Sequence, residues 1–179
     1  MQTRDCKKQS VLECYQYKKG GINSINMKKK IIVQLRNFEK KDALVLSERI
    51  YQELTTAQIE DMICLWNTKQ HDGKYFEMFA IVASGKVVGR LSLYEYKDKT
   101  ISIGPEIFPE YRGKCFAKAA MIKAIGIAKE KGYSMISQQI RVDNEASIAL
   151  HTSLGFEMVG IPFVNSKGNN VCMYEKSLR

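Results

Sequence analysis

A chain of 179 residues, 45% apolar and 26% charged, can bury one substantial core and has the balance of an ordinary folded domain. Its net charge of +9 sits mostly at one end: residues 1–30 hold eight Lys/Arg against two Asp/Glu, and residues 31–179 hold twenty against seventeen, so the body carries only +3 and a nucleic-acid partner is not expected. No apolar run approaches the ~18 residues of a membrane span, no apolar segment follows the N-terminal lysines, and five scattered cysteines form no C-x-x-C pair, so neither a disulfide framework nor a zinc site is suggested and the cytoplasm is the default expectation.

Residues 1–26 are polar, basic and without a clear period, and read as a mobile or helical extension outside the core. The folded unit is expected over residues 27–179, with Met27 at its start. Ile31 to Leu35 reads as a first strand. Ala43, Leu44, Leu46, Ile50 and Leu54 then give helical spacing from Lys40 onward. Thr55 with Gln58 three residues later resembles a capping box opening a second helix through Trp66, the single tryptophan and a core candidate. His71 and Asp72 fall in a polar link. Phe76–Ala83, Val87–Tyr96 and Thr100–Phe108, separated by tight polar turns, read as an antiparallel meander.

Ile101, Ile103 and Ile107 recur at every second position, and Ala117, Ala120, Met121, Ala124, Ile125 and Ala128 at every third or fourth. Between them lies Pro109-Glu110-Tyr111-Arg112-Gly113-Lys114-Cys115-Phe116-Ala117, so the segment reads strand, tight basic turn, helix. The first amides of a helix have no internal acceptor and the dipole adds about half a positive charge, which makes such a turn a phosphate seat. Arg112 and Lys114 add full charges, and Gly113 allows close backbone approach. Gly132 caps the helix, Met135–Val142 is the next strand, and the helical crossover makes it parallel to 100–108. Asn144 opens a short helix ending at Gly155, and Phe156–Phe163 with Val171–Leu178 form a closing hairpin. The expected architecture is α/β, a mixed and mostly antiparallel sheet of about seven strands with helices on both faces. The closing edge hairpin is compatible with a homodimer.

Arg112-x-x-Cys115-x-Ala117, followed one strand later by Asn144, Ser147, Leu150, His151, Gly155 and Phe156, resembles the cofactor-binding core of the GCN5-related N-acetyltransferases (GNAT). That family carries Arg/Gln-x-x-Gly-x-Gly/Ala and Asn-x-x-Ser/Ala-x-x-Leu-Tyr-x-x-x-Gly-Phe, and the likeness covers about residues 31 to 179. It implies a three-layer GNAT fold and transfer of an acetyl group from acetyl-CoA to a primary amine, on a small molecule or a protein N-terminus, by direct attack in a ternary complex. No metal is implied. The amides of Arg112, Gly113, Lys114, Cys115, Phe116 and Ala117 would hold pyrophosphate. The edge of Ile107 and Phe108 would pair with the pantetheine arm and turn an N–H toward the thioester oxygen, with Asn144 and Ser147 completing the cofactor site.

Cys115 stands where the family has glycine; a helical backbone angle would tolerate its Cβ. His151 stands where most relatives have the tyrosine that protonates the leaving thiolate, and resembles the Leu-His variant of phosphinothricin-type acetyltransferases. An unperturbed histidine is only about a quarter protonated at pH 7, a fraction that acidic neighbours would raise. For the base, Glu77, Glu95 and Glu106 are available, and Glu106 is best placed because it precedes Ile107. A carboxylate matches an ammonium poorly, so deprotonation relayed by water is the expectation. Ile103-Gly104-Pro105-Glu106 resembles ribosomal-protein acetyltransferases, which leans toward a protein amine. Cys115 and His151 also admit a different class of protein, a GNAT-fold binding module with weak catalysis that acts on RNA or a protein partner.

Overall fold

The computed structural model describes residues 15–16 and 29–179. The extension expected over residues 1–26 lies outside the described residues, except that the backbone of β1 (Tyr15–Gln16) pairs antiparallel with β2 (Lys29–Lys30). The first strand of the main sheet, β3 (Gln34–Asn37), begins three residues later than the apolar run predicts. The helix expected from Lys40 is shorter than its spacing suggests: a single 3-10 turn, Lys40–Asp42, leads into α1 (Ala43–Arg49), and the chain leaves helical geometry at Ile50. Buried Asp42 receives both Nη atoms of Arg36 at 2.6 and 2.9 Å and the Glu39 amide at 2.8 Å, which ties the start of α1 to β3.

The capping box is present as read: Thr55 accepts from the Gln58 amide, the Gln58 side chain accepts from the Thr55 amide, and α2 (Thr56–Asn67) follows. The polar link carrying His71 is not a plain loop, because β4 (Gln70–His71) pairs with the next strand through a turn that puts Asp72 and Gly73 at positive φ. β5 (Lys74–Ala83), β6 (Lys86–Lys97) and β7 (Thr100–Ile107) form the antiparallel meander. After a 3-10 turn, Pro109–Tyr111, come α3 (Phe116–Glu130), β8 (Met135–Arg141), α4 (Glu145–Thr152), β9 (Glu157–Val164) and β10 (Asn170–Ser177).

The sheet runs β3-β5-β6-β7-β8-β10-β9, with β4 attached to β5. Its one parallel pair is β7–β8, whose register holds only at Thr100–Met135 and Ile101–Ile136 before the strands part. Strand alternation divides the core. Phe79, Ile81, Leu91, Leu93, Ile101 and Ile103 face α3, whose Ala120, Met121, Ala124 and Ala128 are fully buried. Met78 and Ala80 face the other way, against Leu46, Ile59, Ile63 and Trp66 of the first two helices. Helices therefore cover both faces, and the lone tryptophan is core. No described helix is long and apolar enough to cross a membrane.

Candidate functional site

The parting of β7 from β8 opens a cleft at the C-terminal end of β7. The Phe108 amide donates to the Val88 carbonyl at 3.0 Å, and Ile107 lies opposite Gly89. That register makes Ile107–Gly89 a non-hydrogen-bonded pair, so the N–H and C=O of Ile107 point away from β6 and toward the cleft. Its side chain and that of Phe108 are buried. Arg112 confirms the direction, since its Nε reaches the Ile107 carbonyl at 3.0 Å. At the inner end of the cleft the Ser102 hydroxyl donates to the side-chain amide oxygen of Gln138, bridging the two strands just beyond the point where their register stops.

Beside the cleft, the turn of residues 112–115 delivers the chain into α3. Gly113 sits at φ +70 with open space where a Cβ would stand, Lys114 donates to the Glu110 carbonyl, and its ammonium lies 5.3 Å from the centre of the Tyr111 ring. The first backbone bond inside α3 runs from Ala119 to Cys115, leaving the amides of Phe116, Ala117 and Lys118 without a helical acceptor.

Cys115 corrects one expectation. It is the residue preceding α3 and adopts φ 59, ψ 11, the left-handed region, not a right-handed helical angle. This explains in physical terms why a glycine suits the position: any Cβ there costs about 1–2 kcal/mol. Part of that is returned in the unfolded state, where glycine is freer. Cys115→Gly is expected to raise the unfolding free energy by about 0.5–1 kcal/mol, read as a shift in the urea midpoint at unchanged slope.

Asn144, Ser147 and His151 form one connected column. The Asn144 side-chain Oδ1 caps α4 by accepting from the Ser147 amide at 3.1 Å. His151 Nδ1 lies 2.8 Å from the Ser147 carbonyl and 3.4 Å from its hydroxyl, so the ring carries its proton on Nδ1 and donates it to the carbonyl. The ring meets Phe156 edge to face at 4.9 Å and is 2% exposed. Nε2 is buried with no protein partner. Burial pushes the imidazole below its usual range, outweighing the opposing effect of the Ser147 carbonyl. Among the described residues no acidic group counters this, so the protonated fraction at pH 7 is smaller than an exposed histidine would have.

The three glutamates of the meander are dispersed. Glu77 and Glu95 lie toward the far end of the sheet: Glu77 is buried against Lys69, Tyr75 and Asn37, and Glu95 accepts from the Tyr75 amide and the Tyr133 hydroxyl. Glu106 alone stands at the cleft, where Oε2 accepts from Arg90 Nε at 2.7 Å and lies 2.6 Å from Nη2. Arg90 Nη1 donates to the Tyr51 hydroxyl, and the guanidinium lies 5.2 Å from the Tyr51 ring centre. A second ion pair, Arg49–Glu110 at 2.9 Å, joins the end of α1 to the turn after β7. Sequence reading missed Arg90 and Tyr51. The signal for Arg90 was a lone charge inside the apolar run Val87-Val88-Gly89-Arg90-Leu91, on the strand next to Glu106; Tyr51 carried none. Among the described residues, no three His, Cys, Asp or Glu side chains come together as a metal site.

Residues 35–156 match the Acetyltransferase (GNAT) family. The chain belongs to that family. The GNAT fold is shown as well by solved structures. One is a crystal structure of a probable acetyltransferase, 24% identical, covering 81% of this chain and 92% of that one at a TM-score of 0.71. Another is Salmonella typhimurium yncA with its cofactor acetyl-CoA, 21% identical, covering 82% and 94% at 0.65. An uncharacterized protein of Mycobacterium leprae (strain TN) is 32% identical over 74 residues, which are 41% of this GNAT chain and 19% of the length of that relative.

Proposed function

We propose that this GNAT protein transfers an acetyl group from acetyl-CoA to a primary amine, of a small molecule or a protein N-terminus, by direct attack within a ternary complex. One observation carries the reading: the outward N–H of Ile107 and the open amides at the start of α3 converge on the same cleft. Open space at Gly113 fits close approach of a pyrophosphate to the backbone of residues 112–117. When bound, acetyl-CoA supplies an activated thioester. The Ile107 amide would polarise its carbonyl, and the edge at Ile107 and Phe108 would align the pantetheine arm as an added strand. Asn144 and Ser147 order the first turn of α4 against it.

Glu106 is held as a fixed carboxylate by Arg90, with Oε1 left to receive the amine, and water carries the amine proton away. With cofactor bound, His151 would stand in the column beside it, with a lone pair on Nε2. A proton it gives to the leaving sulfur must first reach Nε2, and burial opposes that charge.

The test is calorimetric titration of acetyl-CoA into the wild type and Arg112→Ala. Losing a charge-assisted hydrogen bond at the cleft, together with one positive charge beside the phosphates, should weaken binding by about ten- to a hundred-fold. A wild type that binds no acetyl-CoA, or an Arg112→Ala protein with unchanged affinity, removes the assignment of this cleft.

A further inference from the structure

The edge of the sheet formed by β3 has no strand beyond it among the described residues. The chain running into it alternates: Ile31, Val33 and Leu35 pack on the core that includes α3, while Ile32 is 71% exposed and Gln34 is exposed. That alternation is strand-like from Ile31 onward, three residues before the pairing of β3 with β5 begins. Edges are normally blunted by charge. Here the only charge from Ile31 to Asn37 is Arg36, whose guanidinium is engaged by Asp42. Val33 and Leu35, with Lys123, Gly126, Ile127 and Glu130 of α3, line a groove of about 320 Å³ beside this edge. A cavity of ~150 Å³ holds a benzene, so the groove has room for more than one side chain.

The pairing of β1 with β2 indicates what fits there. Tyr15 lies opposite Lys30 and Gln16 opposite Lys29. At the same antiparallel register, each step back toward the N-terminus on one side is a step forward on the other. Cys14 then meets Ile31, Glu13 meets Ile32, Leu12 meets Val33, Val11 meets Gln34 and Ser10 meets Leu35. Directly opposed residues share a face. Leu12 would therefore enter the groove beside Val33, flanked by the small side chains of Ser10 and Cys14, and Val11 and Glu13 would stand on the other face beside Gln34 and Ile32. No residue from Gln9 to Cys14 is proline, so every amide of the segment can join the ladder. Its tether to β1 holds it at high effective concentration beside the edge. We propose that residues 9–14, which lie outside the described residues, dock along the free edge of β3 as the outermost strand of the sheet, with Leu12 in the groove against α3. The folded unit then begins at Gln9, not at Met27.

Hydrogen exchange of the full chain, read by mass spectrometry, tests the docking. The amides of residues 9–14 should exchange more slowly than those of residues 1–7. Leu12→Asp, which puts a charge into the groove, should abolish that protection and lower the urea midpoint. Disulfides test the register. Opposed Cα atoms in such a ladder are about 4.5–5.5 Å apart, within disulfide reach, so the double variant Val11→Cys, Gln34→Cys should close a bond within one chain under mild oxidation, found as a linked peptide from the monomer. In the double variant Leu12→Cys, Gln34→Cys the thiols leave opposite faces of the sheet, and that link should be lost. Fast exchange of residues 9–14 in the wild type overturns the proposal. So does a Leu12→Asp protein with the wild-type midpoint, or equal linking in the two double variants. A Val11–Gln34 link found only between chains also overturns it, because the segment would then lie on a second copy.

Discussion

Gly89→Ala is expected to be the most damaging alanine substitution among the described glycines. A Cβ at Gly89 would lie 2.2 Å from the Glu106 carbonyl oxygen and 2.9 Å from the Ile107 Cα, both backbone atoms of the neighbouring strand. Neither can rotate aside as a side-chain tip would. Overpacking of this kind costs about 3 kcal/mol, and relief requires β7 to move at the residues that shape the cleft. Urea unfolding should show the loss, and acetyl-CoA affinity should fall with it. Two other glycines calibrate the result. At Gly104 a Cβ meets only the Ser92 hydroxyl at 3.0 Å, so alanine there should be mild, and at Gly126, within α3, it meets nothing within 4 Å, so alanine should stabilise by about 0.5–1 kcal/mol. A Gly89→Ala protein with the wild-type midpoint would show that the β6–β7 ladder yields easily.

Glu77→Ala should cost about 3 kcal/mol. The carboxylate is 3% exposed and takes bonds from Lys69 Nζ at 2.8 Å, Asn37 Nδ2 at 2.9 Å and the Tyr75 hydroxyl, drawing together β3, β5 and the segment between α2 and β4. Truncation strands those donors. Burial by itself would raise the carboxyl's pKa, but the hydrogen bonds from Lys69, Tyr75 and Asn37 outweigh it and hold the group below its ordinary value. Because the folded value is the lower one, this stabilisation is complete above the unfolded value near 4.3 and is lost as pH falls through the folded one. Asp42, held down by Arg36 against its own burial, adds to the same acid limb. Urea midpoints measured from pH 7 to pH 3 should therefore fall steeply below about pH 4, and less steeply in Glu77→Gln. That variant should also lose less at pH 7 than Glu77→Ala, since an amide oxygen still accepts. An acid limb of the same slope in Glu77→Gln would place the responsible carboxylates elsewhere.

The fold was legible where one physical signal dominated. The alternation of Ile101, Ile103 and Ile107 and the spacing of Ala120, Met121, Ala124 and Ala128 describe two faces of one core, and those residues are buried. Thr55 and Gln58 announce a helix start because both partners of the cap are local in sequence. For the same reason Asn144 could be read as opening the short helix that carries Ser147 and His151. What escaped depends on distance or on backbone angle. The left-handed conformation of Cys115 follows from the path the chain takes into α3, which no local pattern encodes. The Arg90–Glu106–Tyr51 contact joins three elements and needs the register of β6 against β7 together with the early end of α1 at Arg49. The state of His151 depends on burial by Phe156 and its surroundings, so the residue type alone suggested an acid while its environment favours the neutral ring.

The short seam between β7 and β8 also fixes how the molecule bears load. Two matched positions, Thr100–Met135 and Ile101–Ile136, join a plate ending in β7 to a plate made of β8, β10 and β9, while the ladders on either side run much further. Mechanically this is a notched plate. Tension across the strands would therefore be borne at the tip of the notch, where two matched positions and the Ser102–Gln138 bond join β7 to β8.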